Sequence, residues 1–153
     1  QLLPADPFQK ARAKFWMDFT GRKIIPYIYQ LLQSQDTGQH QQIEDKIIAG
    51  ISEFTEAMST EGPFFFGQKL SAVDMALAPF AHRIEILLSH YRQFYLPSKG
   101  AIWQRYALWL KTILDLKSFK YVSTDRANYT QELISSYEIY AQGGGQTDVA
   151  IVK

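Results

Sequence analysis

An all-α fold, a bundle of five to six helices, is what this sequence predicts, and three observations predict it. Apolar residues recur at spacings of three and four along most of the chain. Residues suited to starting and stopping helices punctuate those stretches. No segment alternates apolar and polar residues over the length of a strand, so nothing supports a sheet. The 153 residues suffice for one hydrophobic core, since a domain of this size buries roughly two thirds of the surface its unfolded chain exposes. With 46% of residues hydrophobic and 14% aromatic, the chain can fill that core and is not disordered by composition.

The first helix starts at Asp6-Pro7. Asp accepts a bond from a free amide of the first turn, and Pro at the first helical position gives up no hydrogen bond. Phe8, Phe15, Phe19, Ile25, Tyr29 and Leu32 then mark its apolar positions. Gly21 and Pro26 interrupt it, so a kink or a split is expected near Pro26. Six glutamines between Gln30 and Gln42, around Asp36-Thr37-Gly38, read as the turn to the second helix. Ile43, Ile47, Ile51, Phe54 and Met58 trace that helix's stripe, which ends near Ser59. Phe64 to Leu70 is a packed loop or a strand fragment.

The sharpest local signal follows, in Leu70-Ser71-Ala72-Val73-Asp74-Met75. Ser71 and Asp74 have the spacing of a capping box, each side chain serving the other's backbone amide, and Leu70 and Met75 occupy the two positions of a hydrophobic staple. The third helix carries Val73, Leu77, Phe80, Ile84, Leu87 and Leu88 with small alanines between, and a helix apolar on most sides is a central one. Ser89 to Lys99 is expected to be a loop. Ile102, Trp103, Tyr106, Trp109, Leu110, Ile113 and Leu114 form a fourth, aromatic helix. A single turn over Ser118 to Val122 precedes a last helix with Tyr129, Leu133, Tyr137 and Tyr140, capped by Ser123-Thr124-Asp125 and stopped by Gly143-Gly144-Gly145. The chain divides into a helical domain over residues 1–145 and a tail over 146–153.

Composition narrows the function. Sixteen basic against fifteen acidic residues leave a net charge of +1 without a basic stripe, which argues against nucleic acid as a partner. The absence of cysteine removes disulfides, thiolate zinc sites and a thiol nucleophile. The run Met75 to Ala81 is far short of the ~20 apolar residues that span a bilayer, so no membrane is expected. The opening Gln1 to Pro7 has neither a starting methionine nor a signal-peptide pattern. The expectation is therefore a chain whose natural start lies upstream, with the cytoplasm as default compartment. No catalytic or metal-binding motif is present, and His82 and His90 have too few companions on one face to be ligands. Asp74 is better explained by capping than by catalysis.

The run Gly62 to Pro79, with Phe66-Gly67 ahead of the Ser71 to Asp74 box, resembles the C-terminal helical domain of cytosolic glutathione transferases. The kinked first helix, long second helix and Tyr-rich last helix extend the resemblance over nearly the whole chain. Ala78 to Glu85 and Leu108-Trp109-Leu110 look most like the omega or omega-like fungal class. The resemblance implies a thioredoxin-like glutathione-binding domain upstream, absent from this chain, which in omega-like members carries the reactive cysteine. No catalytic residue is then expected here. It implies that this domain supplies one wall of the second-substrate site, for a small hydrophobic or electrophilic co-substrate, and part of a homodimer contact.

The family's arginine in the central helix matches Arg83. The same site is expected to take in Phe15, Trp16 and Phe19, with Tyr129 from the last helix. Two structural alternatives stand beside these assignments: a core role for the aromatics, and for Arg83 an ion pair, near Glu85 or with another helix. A second functional reading is a non-catalytic interaction or regulatory module of the same fold.

Overall fold

Asp6 opens α1 (Pro7–Lys23) through its carboxylate, which accepts the Gln9 amide at 2.8 Å. The computed structural model describes residues 1–144; Gly145 and the tail over 146–153 lie outside the described residues. Near the end of α1 the buried Thr20 hydroxyl donates back to the Trp16 carbonyl at 2.9 Å, a bond that bends helices. The helix breaks at Ile24, whose φ of −121° leaves the helical range, and α2 (Ile25–Gln33) resumes with Pro26 in its first turn. There the missing proline amide costs no helical bond. The expected kink is thus a one-residue break.

The break is covered by α3 (Thr37–Glu56). A Cβ on Gly50 would come within 2.8 Å of the Lys23 carbonyl oxygen and 3.0 Å of Ile24 Cγ1, so only glycine lets the two helices approach this closely. The glutamine-rich turn expected over Gln30 to Gln42 shrinks to residues 34–36. Leu31 and Leu32 are buried and hold α2 in register to Gln33, while the Asp36 carboxylate caps α3 by accepting the Gly38 amide at 3.0 Å. Gln39, Gln41 and Gln42 are exposed on its first turns, where glutamine's helix propensity is unopposed. The stripe from Ile43 to Phe54 is buried as expected.

Between α3 and α4 the chain makes a tight loop. Phe64 and Gly67 exchange backbone bonds of 2.9 and 3.1 Å as a single antiparallel bridge, and among the described residues no strand forms. Gly62 has a φ of +87°, and a Cβ there would lie 2.5 Å from the Gly67 carbonyl carbon. Arg105 ties the loop down by donating to the carbonyls of Ser59, Pro63 and Phe64 at 3.0 to 3.2 Å.

The central helix α4 (Ala72–Arg83) packs against α1 and α6, with Val73, Leu77, Ala78 and Ala81 buried. Its first turn is fixed by the capping box, both halves of which are in place. Asp74 does more than cap. Its Oδ2 accepts the Ser71 amide at 2.8 Å and the Ser71 hydroxyl at 2.9 Å, and its Oδ1 accepts the Phe65 amide at 2.8 Å and Trp109 Nε1–H at 2.9 Å. One buried carboxylate therefore joins the loop, α4 and α6. The Ala72 amide is taken by the Leu2 carbonyl at 2.9 Å, which seats the N-terminal segment on the same end. Met75, the second member of the expected staple, is 37% exposed and belongs to the surface.

The central helix continues through a π-helical segment (Ile84–Leu88) into α5 (Ser89–Arg92), ending at Gln93, whose φ of 50° is left-handed. This corrects the expected start of the loop at Ser89. The Ser89 hydroxyl returns to the Glu85 and Ile86 carbonyls and so stays compatible with helix. After α6 (Ala101–Leu114) and α7 (Lys117–Val122) comes a second correction. Ser123 does not cap the last helix; its buried hydroxyl donates to the Phe119 carbonyl at 2.6 Å and closes α7. The last helix is α8 (Tyr129–Ser136), started from left-handed Asn128, followed by α9 (Glu138–Ala141). The Gly143 and Gly144 amides close it on the Tyr140 and Ile139 carbonyls at 3.0 and 2.8 Å.

Arg92 binds the chain's end to its beginning, donating to the carbonyls of Leu31 and Ala141 at 2.9 Å and to those of Leu32 and Ser34. These carbonyls lie at two helix ends, where intrahelical partners run out; Gln35 also donates to that of Ala141, and His40 pairs with that of Ser34. Grouped by their breaks, the described segments make six helical units. Among the described residues no helix is long and apolar enough to cross a membrane.

Candidate functional site

The far end of the central helix has a different character. Phe80 and Arg83, three residues apart, share one face of α4, and that face meets α2 and the junction of α8 with α9. The Arg83 guanidinium carbon lies 5.1 Å from the Phe80 ring centre and 6.0 Å from that of Tyr137, and Nη1 donates to the Tyr29 hydroxyl at 3.4 Å. The Tyr29 and Tyr137 hydroxyls are 3.5 Å apart, and the Tyr137 ring packs on Tyr140 at 5.3 Å. Burial and the Tyr137 hydroxyl push the Tyr29 phenol up to about 12, against the opposing pull of Arg83. Tyr29 is therefore a neutral hydrogen-bonding group at any physiological pH.

Among the described residues no carboxylate pairs with Arg83, so an ion pair with Glu85 is not formed. The cation is held by ring faces and one long hydrogen bond. This leaves most of its planar fork of donors for a polar or anionic group, which guanidinium binds in a two-point geometry. The arrangement binds and orients; it holds no nucleophile with an adjacent base.

The other expected site residues are distributed around the helix. Tyr129 stacks on His82, the neighbour of Arg83, with ring centres 5.8 Å apart and an 18° tilt. His82 is 6% exposed and wedged edge-on against Phe119 at 5.5 Å. Both its ring nitrogens lack a partner among the described residues. Burial, and to a lesser degree Arg83, hold its pKa below the usual imidazole value.

Phe15, Trp16 and Phe19 gather at the opposite end. Trp16 packs on Phe19 at 4.9 Å, Phe15 at 5.2 Å, Phe65 at 5.8 Å and Phe54 at 6.2 Å. Phe65 is the residue whose amide binds Asp74, nine positions before Arg83 and about 13 Å along a helix axis. Phe19 is 6% exposed and part of the core, whereas Phe15 is 55% exposed. The structure thus joins Arg83 to Tyr29, Phe80 and Tyr137 and sets the α1 trio apart. Sequence reasoning missed Tyr29, which is separated from Arg83 by 54 positions; nothing local relates the two. Tyr137 was visible within the Tyr-rich last helix.

A long central helix with a buried Ser-Asp capping box, sheathed by a broken first helix, a long second one and a C-terminal clamp, defines the class of helical domains that accompanies a thioredoxin-like partner in glutathione transferases. The family of glutathione S-transferase C-terminal domains matches residues 37–111. A probable glutathione S-transferase DHAR2, chloroplastic, from Oryza sativa subsp. japonica is 30% identical over 99 residues, 65% of this chain and 35% of that protein. The solved structure of glutathione transferase Omega 3C from Trametes versicolor superposes with a TM-score of 0.72 at 28% identity, over 89% of this chain and 55% of that one. The Tau class glutathione S-transferase from mango, Mangifera indica L., superposes at 0.76 over 92% of this chain and 63% of that one, and at 21% identity speaks for the fold alone. Residues 37–111 match the glutathione S-transferase C-terminal domain family, and the fold of the described residues agrees with that match. The chain spans about a third of the length of the rice relative it matches.

Proposed function

We propose that this chain is the substrate-side domain of a glutathione transferase of omega-like type, which acts with a glutathione-binding domain to transfer or conjugate glutathione to a small hydrophobic or electrophilic co-substrate. The observation that carries this reading is the Arg83 guanidinium, half-buried among aromatic rings with no carboxylate on it among the described residues. A co-substrate lies with its apolar part against Phe80 and Tyr137 and its polar group on Arg83 and Tyr29. Tyr129 contributes at the edge through His82. The α1 trio lies apart from this cluster and would offer a separate apolar patch, with Phe15 and Trp16 reachable from solvent and Phe19 as their backing.

Glutathione itself would bind mainly to the companion domain, and the whole protein would pair as a homodimer partly through this one. The family match over residues 37–111 and the fungal omega structure at 28% identity support this reading. The compartment belongs to the same proposal: the cytoplasm, with a plastid as the alternative that the chloroplastic relative raises.

The test joins the chain to a thioredoxin-like domain bearing a reactive cysteine and measures glutathione-dependent turnover. Arg83→Ala is expected to raise the second-substrate KM several-fold, with kcat at saturation and the melting temperature nearly unchanged. Unchanged KM removes Arg83 from the site. Absence of any turnover in the joined protein, together with capture of a stable protein partner, replaces the enzyme reading with that of an interaction module.

A further inference from the structure

The Arg83 cluster draws its two tyrosines from different elements, Tyr29 from α2 and Tyr137 from the junction of α8 with α9. The contacts inside it are long: 3.5 Å between the two hydroxyls, 3.4 Å from Arg83 Nη1 to the Tyr29 hydroxyl, and 6.3 Å between the two ring centres. Hydrogen bonds of that length are weak and do not hold two helices at a fixed distance. The gap is set elsewhere.

Two consecutive residues of α5 reach both elements. Arg92 Nε donates to the Leu31 carbonyl at 2.9 Å, two residues beyond Tyr29, and its Nη2 donates to the Ala141 carbonyl at 2.9 Å, one turn beyond Tyr137. The Ala141 amide in turn donates to the Tyr137 carbonyl at 3.0 Å. One planar guanidinium therefore spans α2 and α9, and its rigid fork keeps the donors at a fixed separation. The Tyr91 hydroxyl donates to the Ile134 carbonyl, the same carbonyl that accepts the Tyr137 amide at 3.2 Å. Ile134 lies in the last turn of α8, where carbonyls run out of intrahelical partners. Tyr137 is thus held from both sides, through residue 134 by Tyr91 and through residue 141 by Arg92. Gln35 adds a bond of 2.9 Å to the Ala141 carbonyl and ties the turn after α2 to the same point.

We infer that Tyr91 and Arg92 are positioning residues for the Arg83 site: they fix α2 against the α8–α9 junction and so set the width of the slot between Tyr29 and Tyr137 that receives the co-substrate. They act through these two tyrosines and make no contact with the co-substrate. The inference rests on the reading of Arg83 as the co-substrate's anchor.

The first measurement needs no companion domain. In a proton–nitrogen spectrum of the isotope-labelled 153-residue chain, the Arg83 Nε–H signal, identified by its loss in Arg83→Lys, is displaced by the Phe80 and Tyr137 rings that face it. Tyr91→Phe removes one hydroxyl and keeps the ring; Arg92→Lys keeps the charge and loses the fork. Each should move that signal toward those of exposed arginines. Arg105→Ala, at the opposite end of the central helix, should lower the melting temperature and leave the signal in place, so that loss of stability alone does not reproduce the shift. In the protein joined to a thioredoxin-like domain, Tyr91→Phe and Arg92→Lys should raise the second-substrate KM about three- to tenfold, with kcat within about twofold of the parent. Arg105→Ala should change neither. If Arg92→Lys does not fold, Tyr91→Phe carries the test alone. An Arg83 signal that stays in place in these variants, or that moves as far in Arg105→Ala, overturns the proposal. So does an unchanged KM in them while Arg83→Ala raises it, and the proposed function then stands. An unchanged KM in Arg83→Ala itself overturns both.

Discussion

The two ends of the central helix are built on opposite principles. At its start, one buried carboxylate satisfies four donors from three elements, and Arg105 spends its donors on loop carbonyls beside it. At its close, Arg83 rests on ring faces with one long bond, and His82 is buried with neither nitrogen paired among the described residues. Saturated polar groups make a rigid joint, and unsaturated ones keep binding capacity at a cost in stability. Three arginines in one domain make the point: Arg92 and Arg105 are structural because carbonyls surround them, and Arg83 is available because none does among the described residues.

The contrast can be broken first at its strong end. Asp74→Ala strands the Phe65 amide, the Trp109 indole N–H and the Ser71 amide in the interior, and is expected to cost about 4 kcal/mol of unfolding free energy, measured by urea titration with Trp fluorescence. Arg105→Ala frees the α3–α4 loop and should cost about 2 kcal/mol in the same titration. Gly50→Ala forces a methyl against the Lys23 carbonyl and Ile24 and should cost about 1–3 kcal/mol, despite alanine's better helix propensity.

At the weak end the expected effects are smaller and of another kind. The folded state disfavours protonated His82, while the unfolded chain takes up that proton near the ordinary imidazole value of about 6.5. Stability should therefore fall as pH drops below about 6.5, until the lower folded pKa is reached, with a slope of at most about 1.4 kcal/mol per pH unit. His82→Phe should remove that part of the slope, as seen in melting temperatures between pH 7 and 5. Smallest of all, Arg83→Ala should change unfolding free energy by less than about 1 kcal/mol.

Much of the strong end was legible in the sequence, because capping is a local code: Ser71 and Asp74 are three residues apart, and the stripe beyond them follows one period. What sequence could not supply was the second half of the Asp74 network, since Trp109 is 35 positions away. The glutamine-rich stretch misled because composition suggested a turn, while exposure on a helix suits glutamine equally well and the burial of Leu31 and Leu32 decided the boundary. Ser123 misled for a related reason: a serine hydroxyl can close the helix behind it as readily as cap the one ahead. At the weak end, Arg83 was singled out by the family resemblance, but its companions Tyr29 and Tyr137 are brought to it only by tertiary packing. The aromatic trio of α1 shows the converse, residues adjacent in sequence whose packing carries them to the other end of the helix.

The division of labour along the central helix is tested most directly by unfolding Asp74→Ala and Arg83→Ala side by side in urea. The account predicts that the first loses at least about 3 kcal/mol more than the second. Equal losses would contradict it, because Arg83 would then be a structural tie like Arg92 and Arg105.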